Sequence, residues 1–135
     1  MSEARPDLGP LRAALAELPP PERDMIADRA FPFGTSYCRA IDAWWEAFAA
    51  AGFPGAGQHD YSTRIEAYCA THGIEDGIEL RHVAAMDRDS LLNLLRLIQR
   101  EERFCDGAWA DWHRRGMFHA IAERWVAIEG RMGRA

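Results

Sequence analysis

A chain of 135 residues, 48% hydrophobic and 27% charged, has the composition of one globular domain, which excludes a disordered or fibrous polypeptide. Its net charge of −5 argues against a general binder of phosphate backbones, and no apolar run approaches the ~20 residues of a membrane span. The first residues, Met1-Ser2-Glu3-Ala4-Arg5-Pro6-Asp7, lack the basic-then-apolar order of an export signal, so a cytoplasmic protein is expected. Cys38, Cys69 and Cys105 are odd in number and fall in different segments, which reads as reduced thiols. All 16 basic side chains are arginines. Residues 1–80 carry six of them against thirteen acids, and residues 81–135 carry ten against eight, so only the C-terminal part is even mildly basic. A single helical domain over residues 1–135 is expected, with residues 1–9 a flexible start and 130–135 a frayed end.

In chain order, Pro10 suits a first helical turn, and Leu11, Leu15 and Leu18 follow at spacings of four and three. Pro19-Pro20-Pro21 stops that helix and separates it from a short second helix expected over residues 22–30. Residues 31–34 read as a turn. Thr35 or Ser36 is placed to cap a third helix, with Tyr37, Ile41, Trp44 and Phe48 on one face and Gly52 at its end. Residues 53–58 read as a loop. A fourth helix follows Asp60, turns Ile65, Tyr68, Cys69 and Tyr61 inward, and closes at Gly73. Residues 74–86 are ambiguous, since Ile78-Glu79-Leu80 fits a brief extended segment or a helical turn. No alternating run is long enough for a substantial sheet.

Asp87 or Asp89 is placed to cap a long helix whose Leu91, Leu94, Leu95, Ile98 and Cys105 form a stripe. Gly107 ends or bends it, Trp109 and Trp112 share a short helix that stops at Gly116, and Phe118, Ile121, Trp125 and Ile128 align on the last one. About six or seven short helices with short connections make an all-α, irregular bundle.

A Leu-rich helix, here Leu91-Leu92-Asn93-Leu94-Leu95, runs into Arg100, Arg103, Phe104 and Gly107, an R-x-x-R-F-x-x-G pattern, and then into Gly116 and the Met117-to-Trp125 segment. The stretch Asp89–Trp125 resembles a bacterial helical domain family of unknown function. The resemblance implies a helical fold and carries no activity, substrate or cofactor. An aromatic-acidic-Trp element usual upstream in the family is represented here only by Ile78-Glu79-Leu80.

On a helical wheel Arg96, Arg100 and Arg103 lie within about 60° of one another, away from the leucines. They could cradle a phosphate or carboxylate, with Glu102 or Asp106 orienting it and His113 nearby. The plainer reading is a solvated arginine stripe with one ion pair at the Gly107 turn. Glu102 falls between Leu95 and Ile98 on the wheel, and an inward carboxylate needs a partner, for which Arg124, Arg114 and His113 are the candidates. Glu66, Cys69 and His72 recur every three residues but drift around the helix, and no second ligand pair follows, so no metal is implied. Trp44 and Trp45 cannot both face one core, which makes Trp45, with Trp109 and Trp112, a candidate interaction surface. The expectation is a binding or interaction module, an accessory protein that takes a protein partner or a second copy of itself. The competing expectation is an enzyme or sensor that binds a small anion (phosphate, nucleotide or carboxylate) at Arg100 and Arg103. Neither implies a cofactor, and nucleic acid ranks third.

Overall fold

The computed structural model describes residues 7–23, 26–28, 36–37, 39–53, 60–101 and 107–132. Among them the chain is all-α, with seven helices, apart from one two-stranded ladder. Helix α1 (Gly9–Glu17) starts with Pro10 in its first turn and buries Leu11 and Ala14. Leu18 already has extended backbone, as the proline run after it requires. The second helix expected over residues 22–30 is not there. Residues Ile26–Asp28 (β1) instead pair antiparallel with Ser36–Tyr37 (β2), with Ile26 opposite Tyr37. A short segment cut off by three prolines cannot repay helix nucleation, whereas Ile and Tyr suit a strand pair. The cap expected at Thr35 or Ser36 moves accordingly: α2 (Arg39–Ala50) begins three residues after Ser36, and Tyr37 leaves its face for the ladder. Ile41, Trp44 and Phe48 remain on that face, all fully buried.

At the end of α2 the Phe53 amide donates to Phe48 O at 2.9 Å and the Gly52 amide to Ala49 O at 3.3 Å. This closure needs a left-handed residue at the turn, and Gly52 supplies it with φ of 104°. Helix α3 (Tyr61–His72) buries only Ile65, with Tyr61, Tyr68 and Cys69 half-buried. The ambiguous stretch resolves into an extended approach, where Ile78 is buried, followed by the one-turn helix α4 (Leu80–Val83). Glu79 caps α4, and its own amide donates to His82 Nδ1 at 2.8 Å. Helix α5 (Arg88–Glu101) opens on Asp87, whose carboxylate accepts the Ser90 amide at 2.8 Å, and buries Leu91 through Leu95 together with Ile98. Helices α6 (Ala108–Arg114) and α7 (Met117–Met132) complete the bundle.

Helix α7 is the hub, touching α1, α4, α5 and α6, while α1 packs on α2 and α3 packs on α5. Trp44, Phe48, Phe118 and Trp125 interlock at the centre, with ring centroids 4.4 to 5.6 Å apart. Trp44 Nε1 donates to Phe118 O at 3.1 Å and Trp125 Nε1 to Ala51 O at 3.3 Å, so both buried indoles keep an acceptor. Arg88 lies over the Trp125 ring at 5.1 Å and pairs with Glu129 at 2.7 Å, joining the start of α5 to the end of α7.

Candidate functional site

Arg96 and Arg100 stand one turn apart on α5, both half-buried. The Arg100 Nε is buried and meets no hydrogen-bond acceptor among the described residues. Glu102, Arg103, Phe104, Cys105 and Asp106, the rest of the motif, lie outside the described residues. The three groups considered as partners for Glu102 have other partners: Arg124 donates to Met86 O at 2.8 Å, Arg114 pairs with Asp111 at 3.0 Å, and His113 faces Pro20 O at 3.1 Å. His113 is 1% exposed, and its ring lies against Phe118 and His119, with centroids 6.2 and 5.6 Å away. Its described contacts set it in the α6–α7 junction. Burial holds the His113 imidazolium below its usual range, and nearby His119 adds to that, against the Pro20 carbonyl and Glu22.

Two of the three tryptophans come together. Trp45 on α2 and Trp109 on α6, both half-buried, stack with centroids 5.2 Å apart, and Trp45 also meets Phe53, Phe118 and Trp44. Trp109 Nε1 donates to Ile98 O at 2.8 Å, whereas Trp45 Nε1 is buried with no acceptor among the described residues. Trp112, only 8% exposed, instead forms a wall of a groove.

That groove, about 560 Å³, lies among α3, residues 76–79, α5 and the end of α6. Ile65 and Cys69 come from α3 and Leu97 from α5, each from the apolar side of its helix, so the floor is apolar. Its size falls within the ordinary range of ligand sites. The walls are held in place. Trp112 Nε1 donates to Glu101 Oε2 at 2.8 Å, and the Arg115 guanidinium lies 4.6 Å above the indole while donating to Ile78 O at 2.5 Å. Asp76 and Glu79 line the open side, Glu79 paired with Arg81 at 3.1 Å. Sequence reasoning missed Asp76 and Arg115. The spacing of three between Trp112 and Arg115 at a helix end was the available signal.

Arg96 borders a second, polar hollow of about 280 Å³ between α3 and α5, with Asp60, Arg64, Asp89, Leu92 and Asn93. Asp60 sits at the N-cap of α3 yet makes no side-chain cap bond; its carboxylate accepts from Arg64 Nε at 2.6 Å instead. That hydrogen bond and the guanidinium charge keep the Asp60 carboxyl below its usual range. Asn93 is 7% exposed, and its Oδ1 is buried with no donor among the described residues. Such an acceptor costs about 1–3 kcal/mol when left unmet.

Among the described residues no three His, Cys, Asp or Glu side chains are grouped to hold a metal, and no helix is long and apolar enough to cross a membrane. Neither the curated proteins nor the solved structures offer a match to this chain. Residues 69–131 match a family of unknown function, DUF6508, and this span contains the Asp89–Trp125 stretch, the Trp112 wall and all of α5 and α6.

Proposed function

We propose that this chain is a small helical binding module, an accessory protein rather than a catalyst, and that the Trp112 groove receives an apolar group of its partner. The supporting observation is the groove itself: an apolar floor of ligand-site size whose aromatic wall is fixed by Glu101 on one edge and Arg115 on one face. A rigid aromatic wall loses little side-chain entropy on binding, which is what makes tryptophan an effective anchor. The acidic rim at Asp76 and Glu79 favours a partner with basic residues around the inserted group. The setting is the cytosol, where Cys69 on the groove floor stays a thiol.

The test compares affinity capture by three proteins of equal helicity. Cys69→Trp fills the groove and should abolish capture of whatever wild type retains. Trp45→Glu alters the other tryptophan surface and should leave that capture intact. The reverse pattern would move the binding surface to Trp45 and Trp109.

One observation favours the second reading, a sensor or enzyme for a small anion. The buried Arg100 Nε lacks an acceptor among the described residues, and a phosphate or carboxylate oxygen would supply one. In that reading Arg96, Arg100 and Arg103 hold the anion, with Glu102, Asp106 and His113 as candidate orienting groups. Stabilisation of wild type by phosphate, lost in Arg100→Met, is the outcome that would favour it over the groove.

A further inference from the structure

The apolar surface of the Trp112 groove does not stop at its wall. The Arg115 guanidinium covers Trp112 and holds Ile78 O, which ties the end of α6 to residues 76–79. The next residue, Gly116, turns the chain with φ of 79°, and a Cβ there would lie 3.5 Å from a Leu80 methyl and 3.9 Å from Pro21. The Leu80 side chain therefore rests on the Gly116 turn. It is nevertheless 48% exposed, and among the described residues no other large hydrophobic side chain is exposed. A solitary exposed leucine needs no explanation. This one directly follows Glu79, a lining residue of the groove, and so adds a second apolar point just outside it.

The same stretch of chain is acidic. Glu75, Asp76 and Glu79 are exposed and share a small hollow beside the groove, and Asp76 and Glu79 also line the groove itself. Arg81 answers Glu79 at 3.1 Å, and Arg115 is engaged by Ile78 O and the Trp112 face. Glu75 and Asp76 have no ion pair among the described residues. An anionic ligand would be repelled there, and a cationic one attracted. A small molecule confined to the groove would also miss Leu80, whereas a length of polypeptide reaches both apolar points. The geometry points to a linear segment of a partner protein as the occupant, with a large apolar side chain in the groove, Lys or Arg beside Glu75 and Asp76, and a second apolar side chain on Leu80. This inference rests on the reading of the groove as the binding site, and adds the charge and the second anchor of what it receives.

Selection of short random peptides displayed on phage, with the full chain as bait, tests it. The enriched sequences should combine a large apolar side chain, neighbouring Lys or Arg and a second apolar residue. The enriched peptide is then titrated by fluorescence anisotropy against wild type and variants of matched helicity. Cys69→Trp should abolish binding. Asp76→Lys reverses one rim charge and should weaken binding about tenfold, an effect that shrinks as added salt screens exposed charges. Leu80→Ser should weaken binding several-fold and leave the salt dependence unchanged. Both of these lie on the surface, so they keep the test decisive if Cys69→Trp does not fold. Neutral or acidic enriched sequences, or full affinity in Asp76→Lys or Leu80→Ser, would overturn this inference while loss of binding in Cys69→Trp upheld the groove. Binding that survives Cys69→Trp would overturn both. The inference also falls if no sequence is enriched, or if wild type sediments as a dimer that Cys69→Trp breaks, which would put a second copy of this chain in the groove.

Discussion

The two sides of α5 are built differently. On one side α5 meets the hub helix α7, and beyond it α1 and α2 close a core in which Trp44, Trp125, Phe48 and Phe118 are fully buried and both indoles donate to backbone carbonyls. On the other side it meets α3, which contributes a single buried residue, Ile65, and leaves both the Trp112 groove and the Asn93 hollow open between the elements. Stability concentrates where aromatic area is buried and the central indoles of Trp44 and Trp125 both keep an acceptor. The proposed binding groove lies where packing is thin. Regions that bind are generally drawn from the less stable part of a fold, and α3 with residues 74–79 has that character here.

The largest effects should come from the hub side. Trp125→Ala removes a fully buried indole that packs on Phe48 and underlies Arg88, and should cost about 3–5 kcal/mol in urea unfolding. Leu95→Ala, also fully buried, should cost about 2–5 kcal/mol. Ile65→Ala on the α3 side should fall at the low end, about 2 kcal/mol, because its site can collapse into the groove it borders. Amide exchange sharpens the contrast: α3 amides should exchange through local opening, while central α7 amides should require global unfolding. If Ile65→Ala costs as much as Trp125→Ala and α3 is as protected as α7, the division between the two sides fails.

Much of the hub side was legible in the sequence because it depends on local periodicity. Spacings of three and four placed Leu91, Leu94, Leu95 and Ile98, and Phe118, Ile121 and Trp125, on buried faces. Gly52 and Gly73 marked helix ends, and Asp87 the start of α5, through chemistry contained within one turn. The β1–β2 ladder was not legible, since two strands this short exist only through each other. The candidate site was less legible still. The groove wall needs Arg115 to reach Ile78 across 37 positions, and His113 meets Pro20 across 93, distances that no local pattern encodes. Asn93 was visible as a polar residue inside a leucine run, yet a wheel assigns it only a direction, and the hollow it lines depends on where α3 packs.

The smallest effect is one of pH, and it tests whether the hub side is as fully matched as its tryptophans suggest. His113 Nε2 lies 3.1 Å from Pro20 O, and a carbonyl oxygen only accepts, so Nε2 carries the proton. In the neutral ring Nδ1 is then a lone pair, buried with no donor among the described residues. Charging the ring is opposed first by burial and then by His119 on α7, and favoured by the Pro20 carbonyl and by Glu22, with a net lowering of the folded pKa. The unfolded chain has the ordinary value near 6.5. Above that pH the ring is neutral in both states and adds no slope. As pH falls below about 6.5, the unfolded state takes up a proton that the folded state refuses, so stability declines until pH passes the folded pKa, by at most about 1.4 kcal/mol per unit. His113→Phe keeps an aromatic ring against Phe118 and removes the titration. It also leaves the Pro20 carbonyl without its donor, a loss of about 0.5–1.5 kcal/mol that should not vary with pH. The measurement is urea stability of both proteins from about pH 8 to about pH 5, read as the difference between the curves so that the other histidines cancel. That difference should be constant above about pH 7 and narrow below it. Parallel curves throughout would mean that His113 is protonated in the folded state as readily as in the unfolded one, and that the α6–α7 junction is more open to water than the hub beside it.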